Sequence, residues 1–146
     1  MAYSAETLRA MQVARLQVML AASFTDALHI TLCFDDVSMP ESRKRADVRN
    51  LMARIRGRAG HALRYVSVTE YAENGQDIKA FHYFMDGDAD VIEYVCRRWR
   101  NGAWSVANVD LTQPAALPAF MYSPASARAK RRLYNTSDFV LTTASA

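Results

Sequence analysis

Polar and apolar positions alternate along this chain in two periods, and the switches between them mark out the elements. Residues 5–22 (AETLRAMQVARLQVMLAA) place Leu8, Met11, Leu16, Met19 and Leu20 at helical spacing. Ser4 stands at the N-cap position, where its hydroxyl can accept from a free helix amide. Residues 28–34 (LHITLCF) are rich in β-branched and aromatic side chains and run into Asp35-Asp36, which predicts a strand. Pro40 then opens a helix over 40–58, with Val48, Leu51, Met52 and Ile55 as its apolar stripe. Gly57 and Gly60 bracket its end.

The clearest strand is 62–71 (ALRYVSVTEY), where Leu63, Tyr65, Ser67 and Thr69 alternate with Arg64, Val66, Val68 and Glu70. The polar stretch 73–77 (ENGQD) predicts a hairpin turn, and 78–85 (IKAFHYFM) the returning strand. Asp88 caps a helix over 89–99 that buries Val91, Ile92, Val95 and Trp99. Asn101-Gly102 ends it, and 103–109 (AWSVANV) predicts a further strand. Residues 113–127 hold three of the four prolines and predict a short irregular helix with loops. Residues 131–136 (RRLYNT) are a candidate last strand, and 142–146 a frayed tail. The expected fold is therefore α+β: an antiparallel sheet of about five strands with a central hairpin, covered by helices, in a single domain over 1–141.

Composition narrows the picture. The 146 residues are 51% hydrophobic and 23% charged, as in ordinary globular chains. No apolar run is long enough to span a bilayer, and Glu6, Arg9 and Arg15 interrupt the N-terminal segment where a secretion signal would lie, so the expectation is a cytoplasmic protein without a membrane. Cys33 and Cys96 have no CxxC spacing and read as reduced, packed thiols.

The net charge is only +3, so its distribution carries the information. Arg43, Lys44, Arg45, Arg49, Arg54, Arg56 and Arg58 crowd the second helix. Arg97, Arg98 and Arg100 form a second cluster, and Arg128, Lys130, Arg131 and Arg132 a third. A guanidinium is a planar fork of donors suited to phosphate, so three such clusters point to a polyanionic partner. Any one of them alone is equally an ordinary solvated helix face.

The hairpin carries a resemblance. Its first strand ends in Tyr65-Val66-Ser67-Val68-Thr69-Glu70, and its second runs Ala80-Phe81-His82-Tyr83-Phe84-Met85-Asp86-Gly87. Around it lie His29-Ile30-Thr31-Leu32-Cys33-Phe34, the basic helix, a helix closing on Trp99 and Asn101-Gly102, and Arg131-Arg132-Leu133-Tyr134-Asn135-Thr136-Ser137. In this order, from about residue 8 to residue 138, the segments resemble the HUH endonuclease domain of phage and plasmid rolling-circle replication initiators. The resemblance implies the HUH, ferredoxin-like fold. It also implies a metal site holding Mg²⁺ or Mn²⁺ weakly through His82 and Glu70, with Asp77 and Asp86 as outer candidates. Tyr122 would be the nucleophile that attacks a DNA phosphate. A strand histidine packed without metal remains the other reading of His82.

Three positions depart from the family pattern. Ala80 stands where the first histidine belongs, and Phe120 and Ser123 stand where the Tyr and the Lys of the nucleophile helix belong. The expectation is a replication-initiator-like protein that binds single-stranded or hairpin DNA with weak or lost nicking. The phosphate contacts would come from Arg43, Lys44, Arg45, Arg49, Arg54, Arg56, Arg97, Arg98, Lys130, Arg131 and Arg132. An active metal-dependent nicking enzyme is one alternative. A partner protein, such as a host defence complex that the chain inhibits, is the other.

Overall fold

The computed structural model describes residues 2–24, 27–113, 117–123, 126–127 and 133–136. The elements follow in the order α1 (Ala5–Ser23), β1 (Ala27–Cys33), α2 (Glu41–Ala59), β2 (Tyr65–Tyr71), β3 (Ile78–Asp86), α3 (Ala89–Cys96), β4 (Trp104–Asn108), a 3₁₀ helix (Ala119–Tyr122) and β5 (Tyr134–Thr136). The five strands form one antiparallel sheet in the order β4-β1-β3-β2-β5. From β1 to β4 this is a βαββαβ chain in which β1 lies between β4 and the hairpin β2–β3, the ferredoxin-like arrangement. The expected α+β fold with its central hairpin is therefore present. No helix among the described residues is long and apolar enough to cross a membrane.

Side chains of a strand alternate between faces, so each strand feeds two cores. On one face Leu28, Ile30, Leu32, Phe81, Tyr83 and Met85 pack under α2 and α3, meeting Val48, Leu51, Ile55, Ile92 and Val95. On the other, Val66, Val68 and Phe84 pack under α1 and the 3₁₀ helix, meeting Val13, Leu16, Leu20 and Met121. The sheet is thus the middle of three layers.

Several ends follow from local chemistry. The Ser4 hydroxyl accepts from the Thr7 amide at 3.1 Å, and Asp88 Oδ1 from the Asp90 amide at 2.9 Å. Gly60 closes α2 in the left-handed region at φ 77°, where a side chain would be strained. The Asn74 side chain organises the hairpin turn by accepting from the amides of Gln76 and Asp77 at 2.9 and 3.0 Å. Gly102 allows the loop after α3 to pass close to β1, since a Cβ there would lie 2.8 Å from the Cys33 carbonyl oxygen.

Four expectations about elements are corrected. The inward row of α1 is Arg9, Val13, Leu16 and Leu20, while Leu8 and Met11 face solvent. The row includes an arginine whose Nη2 donates to the Ser126 carbonyl at 3.1 Å, so polarity disguised the face. α3 ends at Cys96 rather than at residue 99, because the amides of Arg98 and Trp99 bond to carbonyls three residues back and tighten the last turn. β2 starts at Tyr65 rather than at residue 62, where its pairing with Met85 begins. Pro40 occupies the N-cap position, so the helix starts one residue after it. The tail 142–146 lies outside the described residues, as do residues 131–132 of the expected last strand.

Candidate functional site

On the α1 face of the sheet, three strands contribute polar side chains to a diagonal line: His29 and Thr31 from β1, His82 from β3 and Glu70 from β2. Thr31 of β1, His82 of β3 and Val68 of β2 lie directly across from one another. Two residues along its own strand from that row stand His29 on β1 and, in the opposite direction, Glu70 on β2. Period-two alternation puts all of them on one face. His82 Nε2 lies 2.8 Å from Glu70 Oε1, and His82 Nδ1 lies 2.8 Å from His29 Nε2. Thr31 Oγ1 is 3.3 Å from His29 Nε2 and 3.4 Å from His82 Nδ1. Lys79 Nζ approaches the other carboxylate oxygen of Glu70 at 3.7 Å.

Aromatic rings close this line. Phe120 of the 3₁₀ helix stacks on His82 with ring centroids 4.3 Å apart. Phe84 stacks on His29 at 4.7 Å. His82 is consequently only 5% exposed.

The electrostatics follow from this packing. Burial lowers the pKa of His29 to about 4, and the neighbouring His82 adds to the effect. Glu70 is held below its ordinary value, first by the hydrogen bond from His82, and so is an anion at neutral pH. An ionised Glu70 can only accept, so His82 Nε2 carries a hydrogen. With His82 neutral, its Nδ1 is then an acceptor and His29 Nε2 is the donor. With His82 as imidazolium the direction reverses, and neutral His29 accepts. Either way the line shares protons without leaving a nitrogen unpaired inside it.

The residues expected to hold a metal are joined to each other. The Nε2 of His82 and a carboxylate oxygen of Glu70 are mutually satisfied, Nδ1 is taken by His29, and Ala80 offers no donor. Asp77 is bonded to the Asn74 amide at 2.8 Å in the turn, and Asp86 sits at the far end of β3 beside Ala27. No group of three His, Cys, Asp or Glu side chains suited to a metal ion occurs among the described residues. The arrangement fits a hydrogen-bonded relay from His29 through His82 to Glu70.

Tyr122 does not join the line. It is 45% exposed, whereas Phe120 covers His82. Two residues along a helix of three per turn point about 120° apart, which separates them. His29 is the member that sequence reading missed. Only the pairing of β1 with β3, two segments about fifty residues apart, brings it to His82.

The basic residues divide between places. Arg45, Arg49 and Arg56 of α2 face Arg64, Tyr65 and Ser67 across a groove of about 550 Å³ whose floor includes Phe81 and Tyr83. These strand positions alternate with His82 and Glu70, so the groove opens on the opposite face of the sheet from the histidines. Arg54, Arg58 and Arg98 line a second hollow between α2 and α3, where the Arg58 guanidinium lies 4.0 Å from the centre of the Tyr94 ring. Arg43 and Arg97 are exposed. Lys44 leaves the set of phosphate contacts. It is 1% exposed, and its ammonium donates to the carbonyls of Val37 and Ile78, both at 2.6 Å. Lys130, Arg131 and Arg132 lie outside the described residues.

No protein-family model, no curated protein and no solved structure matches the chain. The likeness to replication initiators therefore rests on the chain's own residues.

Proposed function

We propose that this protein binds single-stranded or hairpin DNA and does not cut it. The observation that carries the reading is the placement of Phe120. The residue that the family resemblance aligns with the nucleophile lays a ring without a hydroxyl on His82 at 4.3 Å. A phosphate brought to His82 would have to displace that ring, and no activated oxygen stands there to attack it. Binding is supported separately by the arginine groove, which lies on the other face of the sheet. DNA held there is out of reach of His82 and Glu70. The protein is thus read as an initiator-like chain, of phage or plasmid descent, that keeps recognition without chemistry.

The test combines labelled single-stranded and hairpin oligonucleotides with Mn²⁺, analysed by native and denaturing gels. A retarded complex without a covalent adduct is the expected result. An adduct lost in Tyr122→Phe would establish the nicking alternative, and absence of binding at low salt would remove the proposal.

A second reading, a protein partner such as a host defence complex, draws on the outward face of α1. Leu8, Met11 and Val18 are 46%, 43% and 54% exposed there, at spacings that bring them to one side of the helix. A host protein captured by the wild type and lost with Leu8→Glu and Val18→Glu would support it.

A further inference from the structure

The groove between α2 and the β2–β5 side of the sheet has the dimensions and chemistry of a site for one unstacked nucleotide, and we infer that it grips a single base with its phosphate. This rests on the DNA-binding reading and specifies it. The volume of about 550 Å³ falls within the roughly 300–1,000 Å³ typical of sites that enclose small ligands. It suits one nucleotide, and a duplex could present only its phosphates to the opening.

The lining is split by chemistry. Four arginines stand around the groove and no carboxylate lines it among the described residues. The exposed Arg49 and Arg56, with Arg45 and Arg64 beside them, favour an anionic ligand. Arg45 is partly fixed in place, donating to Glu41 at 3.1 Å with its guanidinium 5.4 Å from the centre of the Phe81 ring. A guanidinium positioned in this way loses less freedom on meeting a phosphate.

Below the arginines Phe81, Tyr83 and Met52 are buried in the floor, and the partly exposed Leu63 and Tyr65 form an apolar wall, with Tyr65 meeting Tyr83 edge to face at 5.3 Å. An acidic peptide or inorganic phosphate would leave this surface uncovered. A nucleobase would cover it, because its π-face stacks on aromatic side chains in a sequence-tolerant way. Ser67 and Asn135 supply hydrogen-bonding groups at the β2–β5 side, able to reach base edges. The same chemistry is offered by a nucleotide within a DNA strand and by a free mononucleotide, and the two are separable by experiment.

Ala53 lies at the mouth of the groove on the solvent side of α2, so Ala53→Trp fills the opening without entering the core. Fluorescence anisotropy with a labelled 15-nucleotide single strand is the measurement, with thermal melting confirming that the variant is folded. Ala53→Trp is expected to weaken strand binding at least tenfold. Arg56→Ala is expected to weaken it about threefold to tenfold and flatten its salt dependence. Displacement of the strand by millimolar dTMP or dAMP would identify a mononucleotide as sufficient. Failure of both to compete, with the Ala53→Trp loss intact, would assign the site to a nucleotide within a strand. If the wild type binds the strand and Ala53→Trp binds it equally well, the nucleotide site is wrong and DNA binding stands. If the wild type binds no DNA at low salt, the underlying reading fails.

Discussion

His29 Nε2 and His82 Nδ1 face each other at 2.8 Å, a distance that requires one of the two to donate and the other to accept. Both rings cannot be cationic in this geometry, since both nitrogens would then carry hydrogens. The pair is a proton-counting contact at the centre of the sheet, between β1 and β3, and it makes stability depend on pH.

The sign follows from His29. Its pKa falls from 6.5 to about 4 on folding, so between these values the unfolded chain binds more protons than the folded one. Stability is complete above about pH 6.5 and is lost as pH falls towards 4. The loss is on the order of 2 kcal/mol after allowance for partial solvent screening. The depressed pKa of Glu70 acts in the same direction at the acid end of the range. Urea denaturation from pH 7.5 to 4 should show the decline, and His29→Gln should flatten its upper part.

Lys44 makes a prediction opposite to that of its neighbours in sequence. Its ammonium bridges the Val37 and Ile78 carbonyls and its pKa is lowered by burial. Lys44→Met should reduce stability by about 2–3 kcal/mol, because it strips a charged donor from two carbonyls. The salt dependence of DNA binding should not change with it, whereas Arg49→Ala should change that dependence and leave stability within about 0.5 kcal/mol. Denaturation and salt titration of both variants check this.

Phe120→Ala should uncover the histidine line. The cost is about 1–3 kcal/mol, below the range for a fully buried phenylalanine because the ring is only partly buried. His82 should then become reactive to an imidazole-modifying reagent at neutral pH, while the wild-type ring stays protected. Mass spectrometry of the modified peptides reads the difference.

Gly102→Ala should cost about 1–3 kcal/mol by pressing a methyl group on the Cys33 carbonyl oxygen. That oxygen also accepts from Trp99 Nε1 at 2.9 Å, so the loop and the end of α3 should loosen together. Melting temperature and tryptophan fluorescence report both effects.

What could be read from sequence divides along a physical line. The hairpin was legible because Val66, Val68 and Glu70 alternate with Tyr65, Ser67 and Thr69, and period two needs no knowledge of distant partners. The Ser4 and Asp88 caps were legible because a cap is a local hydrogen bond. The stripe of α2 was legible because Val48, Leu51, Met52 and Ile55 are all apolar. The inward face of α1 was not, because Arg9 lies on it. Lys44 was not, because a lysine among arginines looks like surface until the carbonyls of Val37 and Ile78 surround it. His82 and Glu70 were found from the hairpin, which is one local unit. His29 was not, since its role depends on β1 lying against β3. The separation of the arginines from the histidine face likewise follows from which side α2 covers, a consequence of strand order.

The most direct test of the central account is a salt titration of binding between the wild-type protein and a labelled single strand. If the groove arginines neutralise the two phosphates that flank the bound nucleotide, log K should fall with log salt at a slope of about −1.4. Arg49→Ala should lower the magnitude of that slope by about 0.7, and no covalent adduct should form with Mn²⁺. Binding that is undetectable at low salt, a slope unchanged by Arg49→Ala, or a tyrosine-linked adduct would contradict it.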